Sequence, residues 1–346
     1  MVSLASLKNG EFEVIAELGG IRNPRFCSED ASAFGAMSCF SKDTSIDLFQ
    51  KKAAKHQTNE ELASFREGVL SNSIGKAHLA VLDPSQYLIA CKDIPRLVTL
   101  FLCADQYKTH LQQSLRRVDI EENDLFLPDM FKNTESGKNF IDLFNDNFKL
   151  YQDMTGKGNI PREIARGVMP LYLTTAIQTE GSGRAWWDAF ITGARAEMPS
   201  AIQSLTGKMK PALEKISPGI FKDRENVKEP LNYMPSSQLF WPKNESLKAE
   251  INKYARNLDD VVLRDFSGTE FITEESMEKA VEKRDLAELS NLKHAHFTFL
   301  WPMSIYIFHQ STRQKTLDQA VESIYDAIER KAIICPPEIK KSEFVD

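Results

Sequence analysis

Residues Ile160 to Arg195 read IPREIARGVMPLYLTTAIQTEGSGRAWWDAFITGAR. Arg162, Arg166, Arg184 and Arg195 stand in this run with apolar residues between them. A guanidinium set into an apolar background needs a partner, because an unpaired buried charge loses its hydration without compensation. Glu163, Glu180 and Asp188 can take some of the four. Any left over suit an anionic ligand, since the planar fork meets phosphate in bidentate fashion. On composition alone, a surface helix with exposed arginines is the simpler reading.

Outward from that run, hydrophobic spacing marks the elements. Gly137 to Met154 is a helix with Phe140, Leu143, Phe144, Phe148 and Tyr151 on one face, ended by Gly156 and Gly158. Ala185 to Ile216 reads as largely helical, with Pro199 a break. Upstream, Glu13 to Ala16 is a short strand, residues up to about Asp43 read as loop, and Thr58 to Leu70 is a helix with Asn59 as cap. Gln86 to Cys91 is a strand, and Pro95 to Cys103 is an apolar run open to strand or helix. Residues 217 to 245 hold four prolines and read as an irregular segment. Beyond it come a helix from Ser246, a strand at Val261 to Leu263, a helix from Glu274, a long strand from Ala295 and a helix over Thr316 to Arg330. Short strands among long helices without regular alternation predict an α+β fold.

The chain has 346 residues, 42% hydrophobic and 10% aromatic, enough for one large or two ordinary domains with a real core. A net charge of -6 argues against a general nucleic-acid partner. No apolar run reaches the roughly 20 residues that span a bilayer, and the N-terminus lacks a signal-peptide pattern. A cytoplasmic protein is the expectation. Five cysteines, Cys27, Cys39, Cys91, Cys103 and Cys335, form no CxxC pair and fit free thiols. His294 and His296 share a face of the last strand, but no Cys or carboxylate cluster accompanies them, so no metal site is expected. Cys335 precedes Pro336 and Pro337 without a base partner and is not expected to be a nucleophile.

Lys293 to Tyr325 reads KHAHFTFLWPMSIYIFHQSTRQKTLDQAVESIY. Ala295, Phe297, Phe299 and Trp301 alternate with His296, Thr298 and Leu300 at strand period. Gln310, Arg313 and Lys315 crowd polar groups just past that strand.

Two sets of residues carry a resemblance. Pro161-Arg162-Glu163-Ile164-Ala165-Arg166 with Met169-Pro170-Leu171 resembles the PRE-x-AR-x-x-LP segment of flavin-dependent thymidylate synthases. Glu180 to Arg184 takes the place of that family's T-x-N-x-R, with Ser182 standing for Asn, and Arg195 the place of its helix arginine. Lys293-His294, Phe297-Thr298-Phe299, Gln310 and Arg313 match EH-x-x-FTF and Q-x-x-RHR, with Gln314 and Lys315 at the His and second Arg. Ser323 keeps the serine of S-x-R-Y, and Tyr325 replaces its arginine. The same signature is fainter in the first half. There His78 stands in Ala77 to Asp83, Ala104-Asp105-Gln106 falls near RHR, and Ser114-Leu115-Arg116-Arg117 resembles S-x-R-Y.

The resemblance implies a thymidylate synthase-like fold, partly duplicated: residues 1–225 a first copy, 226–245 a linker and 246–346 a truncated second copy. It implies methylation of C5 of dUMP to give dTMP, with FAD, NADPH and methylenetetrahydrofolate. It implies Arg166, Arg313 and Gln310 as catalytic, and Ser114, Arg116, Arg166, Arg195 and Gln310 as holding the nucleotide. His78, Ser182, Arg184, Arg313, Gln314 and Lys315 would face FAD. A small-molecule nucleotide is the implied partner, in a homo-oligomer, a dimer or a tetramer with sites shared between copies. UMP in place of dUMP, and a non-catalytic nucleotide-binding or structural paralogue, are the competing readings.

Overall fold

The computed structural model describes residues 8, 10–21, 23–56, 58–223, 238–240, 244–254, 258, 260–314 and 317–344. Contacts divide the chain into two compact units. The first holds Met1–Trp241, His309–Gln319 and Pro336–Asp346; the second holds Pro242–Phe308 and Ala320–Cys335.

The first unit is built on a four-stranded antiparallel sheet in the order β1-β2-β4-β3. The strands are β1 (Glu11–Glu17), β2 (Gln86–Pro95), β3 (Lys108–Gln112) and β4 (Thr174–Ser182). Tyr87, Ile89 and Cys91 alternate inward along β2, as a half-buried strand requires. The apolar run left open between strand and helix resolves into both. β2 extends to Pro95 through a bulge between Cys91 and Ile94, where Asp93 has a φ of 54°. Helix α4 (Arg96–Cys103) then begins at once.

The helices follow their sequence signals with three exceptions, one of them α2 (Ser45–Ala53), for which no helix was expected. Helix α5 (Glu135–Gly156) buries Ile141, Phe144, Phe148, Tyr151 and Met154 at helical spacing and is capped by Thr134. Pro199 separates α7 (Gly183–Gly193) from α8 (Ser200–Ile216). Trp186 and Trp187 of α7 are buried, their indoles donating to the carbonyls of Tyr87 and Ile220. Helix α3 (Asn59–Gly75) is capped by Thr58, one residue before the expected Asn59.

A second exception is Ser28–Ser38, expected as loop and found as helix α1. Its small and polar residues carry little periodicity. It is held by Asp30, which accepts from the Cys27 amide, and by Phe34 packed on Phe49. The third is the expected helix over Thr316 to Arg330. Thr316 lies outside the described residues, and the helix runs only from Ile324 to Glu329. Ser323 starts it late, its hydroxyl accepting from the Tyr325 amide.

In the second unit, β5 (Val262–Ser267) and β6 (His296–Leu300) form a two-stranded antiparallel ribbon. The alternation read along β6 does not translate into one buried face: Phe297 and Phe299 are both about half exposed. The helix Glu245–Tyr254 meets the ribbon through Arg264, which pairs with Glu250 and lies over the Tyr254 ring. His294 sits in the turn before β6, apart from His296 on the strand.

Candidate active site

The site lies in the first unit, where five chain segments meet around one end of β4. Arg96 opens α4, and its backbone N–H donates to the Leu173 carbonyl at 2.9 Å. Leu97 N–H donates to Leu171 in the same way, which ties the Pro170-Leu171-Tyr172 segment to the head of α4. Gln112 ends β3 opposite Ile177 of β4. Its amide nitrogen donates to Thr99 Oγ1 at 2.8 Å, and the Thr99 hydroxyl donates to the Arg96 carbonyl at 3.0 Å. On its other side, Gln112 Oε1 accepts from Arg313 Nη2. The chain thereby links Arg313 through Gln112 and Thr99 to the backbone of Arg96.

Arg166 and Arg116 approach through one residue. Arg166 Nε donates to the Glu163 carbonyl at 3.2 Å, and Arg116 lies 3.8 Å from the Glu163 carboxylate. Arg162 is paired with Asp119 at 2.6 Å. The segment read as PRE-x-AR and the one read as S-x-R are therefore adjacent. Ser114 opens the turn between them, its hydroxyl accepting from the Arg116 amide.

The electrostatics set this cluster apart. Burial, with Arg166 and Arg313 close by, lowers the Arg96 guanidinium to about 10. Burial, together with Arg96, Arg313, His110 and Arg166, pushes the His309 imidazole down to about 2. His309 is 3% exposed. Arg96 Nη1, Arg313 Nε and His309 Nε2 are buried without a hydrogen-bond partner. Among the described residues, no carboxylate forms an ion pair with Arg96 or Arg313. Arg96 and Arg313, each with a buried nitrogen left without a partner, are chemically suited to an anion.

Sequence reading missed Arg96, Gln112 and His309. Arg96 had one usable signal: a lone charge after a proline, at the head of a largely apolar run. His309 stands beside the expected Gln310 but carries no pattern of its own. Gln310 and Gln314 are exposed, and Arg195 is half-buried in the turn between α7 and α8. Lys315 lies outside the described residues.

The expected flavin residues fall into two groups. His78 is exposed at the start of a short turn, Leu79–Leu82, and Arg184 reaches Asp83 at 3.4 Å beside it. The Ser182 hydroxyl caps α7 by accepting from the Ala185 amide. Ser182 lies five residues beyond Ile177 along β4, about 17 Å at strand rise, so this group is well removed from Gln112 and Arg313. The two groups do not form one compact cradle. Arg184 Nε, buried without a hydrogen-bond partner, is the unfilled donor at the far end.

At the position read near RHR in the first half, Asp105 is fully buried and bonded to Lys108 at 2.8 Å, with the ammonium 4.8 Å from the Trp186 ring centre. That position serves the core.

The Thy1 family, thymidylate synthase complementing protein, matches residues 27–219. The chain belongs to this family. The flavin-dependent thymidylate synthases are methyltransferases, and the α+β fold with its antiparallel sheet is theirs. No curated protein matches the chain. Among solved structures, it is similar to the UMP/dUMP methylase PolB from Streptomyces cacaoi bound with 5-Br dUMP. The identity is 14%, the match covers 62% of this chain and 94% of PolB, and the TM-score is 0.49. Among the described residues, no helix is long and apolar enough to cross a membrane.

Proposed function

We propose that this thymidylate synthase-like chain methylates C5 of a uridine monophosphate, dUMP to dTMP, in a cytoplasmic homo-oligomer. The observation that carries the reading is the convergence of Arg96, Arg166 and Arg313, which supports binding of a phosphate monoester. Arg166, Arg116 and Ser114 would hold the nucleotide, with Arg195 joining from the turn after α7. Their donors suit phosphate and pyrimidine carbonyl oxygens. Gln310 and Arg313 would orient the base from the second-repeat segment. Charge developing on the pyrimidine carbonyl during attack would be stabilised by fixed guanidinium donors that need no reorganisation. His78, Ser182 and Arg184 at one end, and Arg313, Gln314 and Lys315 at the other, would hold FAD. Reduced FAD would supply the hydride, NADPH would reduce the flavin, and methylenetetrahydrofolate would supply the carbon. The chain would be a full copy followed by a truncated copy, the second copy donating Arg313 to the nucleotide site of the first.

Purified protein tests the reading directly. It should be yellow from bound FAD and should release tritium from C5-labelled dUMP faster than from C5-labelled UMP. Faster release from UMP would assign the ribonucleotide as substrate. The Asp105–Lys108 pair at the lost triad favours the second reading, a nucleotide-binding paralogue without activity. Colourless protein that binds dUMP and releases no tritium would establish it.

A further inference from the structure

We infer that Arg96 is a third guanidinium of the phosphate site, with His309 as an uncharged hydrogen-bonding group beside it, so that the site selects a phosphate dianion. This rests on reading the site as a nucleotide site.

The backbone of Arg96 has structural work that its side chain does not share. Its amide holds Leu173 and its carbonyl accepts from Thr99, and both bonds survive any change beyond Cβ. The guanidinium has no such role. Its Nη1 is buried without a hydrogen-bond partner, and its charged neighbours, Arg166 and Arg313, repel it. A buried cation held among cations destabilises the fold that carries it, unless an anion enters. His309 adds a buried Nε2 without a partner. A neutral imidazole can donate or accept one bond there without adding a fourth full charge. Three fixed positive charges and one neutral donor match the two charges of a phosphate monoester better than a singly charged carboxylate.

The experiment uses the full chain, with dUMP, deoxyuridine and inorganic phosphate as probes, and compares wild type with Arg96→Met and Arg166→Ala. Methionine keeps an apolar stem and removes the charge. Arg96→Met should weaken dUMP about 10- to 100-fold by calorimetry, the scale of a lost charge-assisted hydrogen bond. Deoxyuridine affinity should not change. Without ligand, the Arg96→Met thermal midpoint should rise, because a repelled buried cation is gone, and inorganic phosphate should no longer shift it. A midpoint that falls, or a variant that does not fold, makes Arg96 a structural residue and overturns the inference. Unchanged dUMP affinity in Arg96→Met with a loss in Arg166→Ala removes Arg96 from the site and leaves the nucleotide reading standing. Unchanged affinity in both variants removes the nucleotide reading itself.

Discussion

Arg313 donates from Nη2 to the side-chain oxygen of Gln112, 201 residues earlier in the chain. Through Gln112 and Thr99, that contact reaches the carbonyl of Arg96. A residue expected from the second repeat thus stands among residues of the first. A double-mutant cycle on Gln112→Ala and Arg313→Ala should show a coupling of about 1.5–3 kcal/mol in urea unfolding, the range for a hydrogen bond to a charged group. Additive effects would mean that the two side chains do not support each other.

Arg166→Ala should weaken dUMP binding by about 2–4 kcal/mol, because a charge-assisted pair with phosphate is lost. Arg166 is only half-buried, so folding should survive. Titration calorimetry against dUMP and deoxyuridine checks this, with the nucleoside affinity expected to stay the same.

Two buried groups should bend the stability curve in opposite directions. Burial raises the Glu29 carboxyl to about 7, against the pull of Arg66 and the Gly219 amide. Its folded value lies above its unfolded one, so its contribution is complete below about 4.5 and is lost as pH rises toward 7. His309 is held down to about 2, so its contribution is present above about 6.5 and is lost as pH falls. Between about pH 4.5 and 6.5 the two oppose each other. Glu29→Gln should expose the His309 slope, with stability falling as pH falls. His309→Gln should expose the Glu29 slope, with stability rising as pH falls. Denaturant midpoints at pH 5 and 6.5 decide it, and parallel curves for both variants would refute both assignments.

Lys108 and Asp105 form a fully buried pair. Lys108→Met should cost about 3–5 kcal/mol, because Asp105 keeps a charge without its partner. Adding Asp105→Asn should recover part of that loss in thermal unfolding. A single variant as stable as wild type would show that the pair adds nothing to the fold's stability.

The parts of the fold legible in sequence were those with strong periodicity. The Phe144, Phe148, Tyr151 face fixed α5, and Pro199 marked the break between α7 and α8. Helix α1 was not legible, because its signal is a side chain reaching back to an amide, and that leaves no hydrophobic period. Of the site, the Arg166 and Arg313 segments were legible as motif fragments. Arg96 was not, since a charge at the head of an apolar run gains meaning only when Leu171 and Leu173 fold back on it. The distance between Arg184 and Arg313 was also hidden, because strand length converts into separation only once the register is known.

The segment His309–Gln319 belongs to the first unit although the larger part of the second unit, Pro242–Phe308, is made before it. A nascent chain that has reached residue 241 already carries Arg96, Gln112 and Arg166, but neither His309 nor Arg313. At 5–20 residues per second, translation reaches Arg313 roughly 4–14 s later. During that interval Arg96 and Arg166 have neither His309 nor Arg313 to join them, and the Gln112 side-chain oxygen lacks its Arg313 donor. The order of synthesis therefore brings His309 and Arg313 to the first unit only after all four strands of its sheet have been made.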